Sequence, residues 1–389
     1  MISSALFWLT LAATVPAYWL APSELRPALL AVVSALYLAL VDPVAAAMVV
    51  TWLLLFWLGL RAAPGSGGTR TAVLLVAGVM LNLALFKYVP RLADELADDT
   101  VLELALPLGV SYFTFKLIHY AVEVRRGAVT DRSLAGFASW MLLFPIFTAG
   151  PIERYDHFVA GRSDRWRLED TVVGIRRIIL GLAKKLLVAD LLLRPLLAGY
   201  DGVSLAARLD IAPPLPSFKV WGFLVLSYLV VYFDFAGYTD IAVGSSRLLG
   251  LRIAENFDWP LLARSPADFW RRWHMTLAGW CRSYVYMPVL GATRSPYLAV
   301  LVTFVVIGLW HAGSANWLLW GLYHGAGVAV WQTWDRYRRR LRRRPTFIGR
   351  IVATGSTFLF ISVSFAFSTT DGAGAGAALR LLARAFGIA

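Results

Sequence analysis

The chain is expected to be an all-α, multi-pass membrane protein, and three features of its 389 residues carry that expectation. Hydrophobic residues make up 59% and charged residues 16%, against about 25% charged in soluble domains, whose surfaces must face water. The apolar excess runs along the whole length, with a mean hydropathy of +0.64. The 37 Lys and Arg gather in short stretches between apolar runs, as they do in the cytoplasmic loops of membrane proteins. That distribution, more than any nucleic-acid partner, accounts for the formal charge of +13. One cysteine, Cys281, cannot form an intramolecular bridge, so a disulfide-stapled fold is excluded.

A hydrocarbon core about 30 Å thick takes about 20 apolar residues per helix. Runs of that kind lie near 4–21, 27–41, 44–60, 71–89, 101–122, 172–199, 218–246, 297–311, 315–335 and 351–368, roughly ten segments of which some are too short to cross fully. The first, from Ala5, lacks a basic flank and is followed by further spans, so it reads as a span and not a signal peptide. Arg26, then Arg61 and Arg70, then Arg125 and Arg126 fall on the cytoplasmic side, with Asp42 and the stretch Asp94, Glu95, Asp98, Asp99 outside. Eight Arg between Arg336 and Arg350 put that loop in the cytoplasm, near anionic headgroups. Between 133 and 296 the pattern is broken by Pro, Gly and charge, as in Phe144 to Pro151, where backbone is expected to enter the bilayer and return. No internal repeat is present. Only Pro64–Gly68 and the Ala/Gly-rich 372–378 read as low-complexity linkers, so residues 1–389 count as one membrane domain.

Polar groups inside membrane segments are expensive, which makes each a functional candidate. Phe233 to Asp240 places Asp234, Tyr238 and Asp240 in an apolar helix, where the carboxylates serve a site or pair with Arg side chains. The stretch Asp268 to Leu277 holds Trp270, Arg271, Arg272, Trp273 and His274; it suits phosphate or headgroup contacts, or an interfacial helix anchored by aromatics. Two of the five histidines, His311 and His324, sit on adjacent apolar segments beside glycines, Gly313 and Gly325. In a membrane a histidine is neutral, the form that acts as a general base, although a packed histidine bonded to a carbonyl looks the same in sequence. His324 precedes Arg336 by twelve residues, about 18 Å of helix, which sets it near mid-membrane. Phosphate-loop, serine-hydrolase, zinc-protease and C-x-x-C signatures are all missing. Two histidines without a carboxylate partner do not make a metal site, so no metal and no bound cofactor is expected.

Taken together, these segments resemble the membrane-bound O-acyltransferase family, in its bacterial branch of alginate and polysaccharide O-acetylation proteins and D-alanyl transfer proteins. The resemblance rests on Pro107 to Phe115, Ala149 to Arg154, Phe233 to Asp240, Asn256-Phe257, Phe269 to Leu277 and both histidine segments, in the family's order over about 107–336. It implies a ring of helices around a thin central region, with a cytoplasmic tunnel for the donor and an extracytoplasmic funnel for the acceptor. It also implies that His324 is the catalytic base, that His311 orients it or donates to the developing oxyanion, and that His274 lies on the donor side. Arg271, Arg272, Trp273, Asp234, Tyr238 and Asn256 are the remaining residues to which it points as donor-binding or supporting. Where Arg-Asp-Tyr is usual, this chain has Arg282-Ser283-Tyr284, and the role of that acid has no counterpart here.

The expected reaction moves an acyl group, acetyl foremost, from a cytoplasmic thioester to a hydroxyl of an exported polysaccharide or a relay protein, at the bacterial cytoplasmic membrane. Acetyl-CoA is the first donor considered. A phosphopantetheine carrier-protein thioester, giving D-alanylation of a wall polymer, is the alternative. Ser3-Ser4, Phe7 and Phe86-Lys87-Tyr88 look more like the acetylation members. A non-enzymatic transporter or flippase also fits buried charge and broken helices, but transporters of that kind show two related halves, and none is seen.

Overall fold

The computed structural model describes residues 2, 4–62, 65–90, 107–129, 131–198, 216–340 and 346–388. Among these residues the regular structure is helical, apart from one isolated bridge between Arg162 and Leu251. Among the described residues four helices are long and apolar enough to cross a membrane: α3 (Pro43–Ala62), α4 (Gly65–Lys87, through its stretch Gly68–Lys87), α10 (Ser217–Leu248) and α16 (Phe347–Thr369). Three apolar helices are shorter, namely α1 (Ala5–Leu20), α2 (Arg26–Val41) and α14 (Pro296–His311). The chain divides into two compact units, one of 1–182 with 237–255 and the other of 183–236 with 256–389.

In the first unit α1 starts where the Ser4 hydroxyl accepts the Phe7 amide, a cap that satisfies one free donor of the first turn. Asp42 serves two chains at once: one carboxylate oxygen takes the Ala45 amide at the start of α3 (2.9 Å), and the other takes the Leu108 amide (3.0 Å). Helix α5 (Val110–Arg126) lies between two left-handed glycines, Gly109 at φ +73 and Gly127 at φ +75. Within the run expected over 101–122, Pro107–Gly109 is a turn and helix follows from Val110; residues 101–106 and the acidic stretch 94–99 lie outside the described residues. A side chain on Gly109 would also run into the Phe147 ring. Lys116 of α5 is buried, with its ammonium 2.9 Å from the Trp140 carbonyl at the end of α6 (Leu134–Leu142). Helix ends leave carbonyls unpaired, and this buried cation supplies a donor.

The segment after α6 turns without helix and is buried at Phe144, Ile146 and Phe147, in keeping with the expected break. Its Phe144 amide reaches the Ser34 hydroxyl (3.3 Å). Glu153, 1% exposed, anchors the return: its carboxylate accepts the Ala254 amide at 2.6 Å and also binds His157 on α7 (Tyr155–Ala160). Helix α8 (Leu168–Leu182) meets the later part of α10 through glycine, for a Cβ on Gly181 would lie 2.6 Å from the Gly237 carbonyl oxygen. Beside this contact Arg177 binds Asp240 (2.7 Å) and Glu255 (2.6 Å), so Asp240 takes the ion-pair option.

The Glu153 hydrogen bond is the largest influence on His157 and holds its imidazole above the usual 6.5, against the effect of partial burial. A raised histidine pKa stabilises the fold fully below the unfolded value, and that contribution is lost as pH rises through the folded value. Thermal unfolding in detergent should therefore show wild type ahead of His157→Ala at about pH 5.5 and level with it at about pH 8.5. The His157 side chain is 51% exposed, which limits the difference to about 1 kcal/mol or less. A constant gap across the range would mean that packing, not the ion pair, separates the two proteins.

The second unit opens with a π-helical stretch, Ala183–Leu193, that continues from α8 into α9 (Arg194–Ala198). The run expected as one span over 172–199 is thus wound in two ways. Helix α17 (Gly374–Ala385) is a correction to the linker expected at 372–378. Alanine is the best helix former, and Ala377, Leu381 and Ala385 pack with Val220, Leu224 and Ala366. Likewise α4 already begins at Gly65, inside the other expected linker.

Candidate active site

The site is built on a helical hairpin, α14 followed by α15 (Ala315–Arg340). Glycine permits its close packing. A Cβ on Gly308 would overlap the Trp317 carbonyl oxygen, and one on Gly321 would stand 2.5 Å from the Phe304 carbonyl oxygen. His311 is the last residue of α14, and Ala312 leaves the helix in extended conformation. The turn is held by Ser314, whose hydroxyl accepts the Trp317 amide (3.3 Å) and donates to Asp371 (2.5 Å). Farther along, Asn316 donates to the Phe367 carbonyl of α16 (3.0 Å) and so fixes α15 against it.

His324 lies one turn beyond Gly321 and is 1% exposed. Rings surround it: Trp320 at 4.4 Å between centroids, Trp270 at 5.3 Å, Phe360 at 5.6 Å and Phe304 at 6.0 Å. The Trp270 indole N–H donates to its Nδ1 over 3.3 Å. His311 stacks on Trp317 at 4.4 Å with 18° between planes.

Trp270 and His274 come from a second segment that is fixed by polar contacts. Ser265 caps α11 (Pro266–Trp270) by accepting the Asp268 amide (3.0 Å). The Asp268 carboxylate in turn accepts from Arg272 (3.1 Å), Arg271 (3.3 Å) and the Arg264 amide (3.0 Å). Burial would raise the Asp268 pKa, but the Arg264 amide and the two guanidinium groups outweigh it and hold the carboxyl below the usual range. His274 stands at the start of α12 (Met275–Cys281) with φ +42, a left-handed conformation that costs energy in a residue bearing a Cβ. Asn256, fully buried, holds it there: its carbonyl oxygen lies 3.2 Å from His274 Nδ1 and 2.6 Å from the Thr276 hydroxyl, while its backbone oxygen takes the Met275 amide (2.9 Å).

These elements enclose a cavity of about 460 Å³ lined by His274, His311 and His324 together with Trp270, Trp273, Trp317 and Trp320. No carboxylate, Lys or Arg is among its described lining residues. A second cavity of about 430 Å³ is lined by Arg271, Arg282, Met275 and Tyr286, and shares Trp270 with the first. The sequence candidates thus separate into groups. His324, His311, His274 and Trp273 meet at one cavity, Arg271 lines the other, and Asn256 supports from behind. Arg272 is engaged with Asp258 and Asp268, outside both linings. Asp234 lines neither cavity; it pairs with Lys185 and, at 3.0 Å, with Arg194. Tyr238 belongs to the first unit and hydrogen-bonds Thr148.

Sequence reasoning gave Trp270 the part of an interfacial anchor and passed over Trp320 and Phe304. The one available signal was density, for aromatics recur at Trp270 and Trp273 and at Trp317 and Trp320, each pair three residues apart. Trp317 and Trp320, three apart on α15, share a helix face.

The long apolar helices among the described residues are those of a multi-pass membrane protein. The chain belongs to the membrane-bound O-acyltransferase family, whose profile matches residues 25–370, and this is the family expected from its motifs. It is similar to the protein named probable alginate O-acetylase in Pseudomonas aeruginosa, with 32% identity over 298 residues that cover 71% of this chain and 54% of that protein. Its similarity to the same-named protein of Azotobacter vinelandii is 32% over 340 residues, 80% of this chain and 64% of that one. Against the teichoic acid D-alanyltransferase of Bacillus subtilis it is 29% over 289 residues, 70% of each. The match spans between half and two thirds of the length of these alginate O-acetylases.

Proposed function

We propose that the chain transfers an acyl group, acetyl in the first instance, from a cytoplasmic thioester to a hydroxyl on an extracytoplasmic polysaccharide or relay protein. The observation that carries this reading is the meeting of His274, His311 and His324 at one apolar, aromatic-walled cavity. A thioester is already activated, so the protein has only to bring it beside a hydroxyl and manage one proton and one developing charge. His324 is the residue assigned to the reacting atoms, with His311 in a lesser part. The second cavity, with Arg271 and Arg282 in its lining, suits the phosphates of a pantetheine-bearing donor, and its shared wall at Trp270 offers the thioester a short path inward.

In this reading residues 1–389 act as one membrane domain with its core at about 107–336. The helices ring a thin central region between a cytoplasmic tunnel and an extracytoplasmic funnel, in the bacterial cytoplasmic membrane. The Arg336–Arg344 cluster lies in the cytoplasm beside anionic lipid. Nothing in the proposal calls for nucleic acid or metal. A carrier-protein D-alanyl thioester is the second donor considered, because similarity to the teichoic acid D-alanyltransferase of Bacillus subtilis extends over 70% of both chains.

The test supplies membranes containing the chain with labelled acetyl-CoA or, in parallel, with a labelled D-alanyl carrier protein, and follows base-labile label in exported polymer and membrane proteins. Transfer from acetyl-CoA is expected, with Arg271→Ala raising the donor concentration needed for half-maximal rate several-fold. Label from the carrier alone would move the assignment to D-alanylation. Failure of both donors, with the folded chain present, would end the acyl-transfer reading.

A further inference from the structure

His274 and His324 line the same cavity, yet their partners demand opposite tautomers. An indole N–H can only donate, so the Trp270 contact at 3.3 Å requires His324 Nδ1 to be bare. No carboxylate among the described lining residues supports an imidazolium, so the buried ring is neutral and its single proton sits on Nε2. That atom is buried and has no hydrogen-bond partner among the described residues. His274 is the reverse case. Its Nδ1 faces Asn256 Oδ1 at 3.2 Å, and the Thr276 amide, which can only donate, points at the same atom over 3.4 Å and identifies it as the amide oxygen. His274 therefore carries its proton on Nδ1 and presents a bare Nε2.

We propose that the two imidazoles divide the transfer step, His324 donating from Nε2–H to the acyl carbonyl oxygen and His274 accepting the hydroxyl proton at Nε2. This rests on the acyl-transfer reading and deepens it. The hydroxyl oxygen bonds to the carbonyl carbon as its proton passes to His274, and the charge that gathers on the carbonyl oxygen is held by the His324 N–H. Collapse breaks the C–S bond, and His274 returns the proton to the leaving sulfur. An ester and a free thiol result, with no net gain or loss of protons. Trp270 is a positioning residue in this scheme. It acts through His324, whose use as a base would need the other tautomer, with an N–H facing an N–H. The general-base role expected for His324 from its motif thus passes to His274.

Two measurements test the division. Nitrogen-15 spectra of protein labelled at histidine, with the His324 signals identified by their loss in His324→Gln, are expected to show His324 protonated on Nε2 and His274 on Nδ1. In Trp270→Phe, which keeps a ring but lacks the N–H, the His324 signals should move toward a mixture of tautomers. A wild-type His324 protonated on Nδ1 would overturn the proposal without touching the acyl-transfer reading. In the transfer assay, His324→Gln still donates a hydrogen bond and should keep roughly a tenth of wild-type activity, where His324→Ala loses about 10²–10³-fold. His274→Gln, which cannot hold the proton, should lose about 10²-fold or more. The opposite pattern, with His274→Gln active and His324→Gln as impaired as His324→Ala, would restore His324 as the base. Wild-type protein that transfers nothing would instead remove the functional reading, leaving the spectra to decide where the protons lie.

Discussion

His324→Ala is expected to lower acyl transfer by about 10²–10³-fold while the protein remains inserted, folded and able to bind its donor. The substitution removes an imidazole packed among the rings of Trp270, Trp320, Phe304 and Phe360. It also orphans the Trp270 indole N–H, whose burial unpaired costs about 1–3 kcal/mol, so some loss of thermal stability should accompany the loss of rate. Donor binding is the control that separates the two effects. The proposal places it in the cavity of Arg271 and Arg282, whose described lining does not include His324. Normal transfer by folded His324→Ala would remove the histidine from the reaction altogether. Weak transfer explained wholly by weak donor binding would move it from the chemical step to the binding site.

A comparable loss should follow from a single methyl group at Gly321. A Cβ there would lie 2.5 Å from the Phe304 carbonyl oxygen and 3.0 Å from the Val305 Cα, and backbone atoms cannot turn aside as a side chain can. Overpacking typically costs about 1–3 kcal/mol, and the rigidity of this contact sets Gly321→Ala at the upper end or beyond. His324 follows one turn later, so helices forced apart at Gly321 also shift the imidazole relative to Trp270. Gly355 in α16 is the matched control, because a Cβ there meets nothing within 4 Å. Glycine-to-alanine changes inside helices otherwise stabilise by about 0.4–1 kcal/mol. Thermal midpoints in detergent, with transfer rates beside them, should therefore fall for Gly321→Ala and hold or rise for Gly355→Ala. Equal behaviour of the two variants would mean that α14 and α15 have room to separate.

The helices were legible because hydropathy reports directly on lipid burial, and runs such as 297–311 and 351–368 needed no tertiary information. Boundaries were less so. The start of α5 is set by the turn at Pro107–Gly109, and α17 was hidden because alanine and glycine look featureless until leucine and arginine are placed around a helix. At the site, the histidines stood out as polar residues in apolar runs. What sequence could not give was the partner of each ring. Trp270 reads equally well as a membrane anchor or as a hydrogen-bond donor to His324, 54 residues away, and only the fold chooses. Asp234 shows the same gap from the other direction, since Lys185 and Arg194 engage a carboxylate that its own helix leaves without an evident partner.

The lining of the histidine cavity bears on fidelity as well as rate. On the proposed reaction, a thioester waiting for its acceptor is exposed to hydrolysis whenever water settles beside the base, His274, and each such event discards an activated acyl group. Among the described lining residues, tryptophan, phenylalanine and aliphatic side chains make up most of the wall beside the three histidines, and none is a carboxylate that would hold water in place. The few hydroxyls, Ser227, Ser364, Ser368 and Thr369, leave water with little to hold it in place. If the acceptor is a sugar hydroxyl, as proposed, discrimination against water then falls to residence: an acceptor held by its own contacts would stay beside the thioester, and a water molecule would not. On that reading, the apolar wall beside His324 would tie consumption of the donor to arrival of the acceptor.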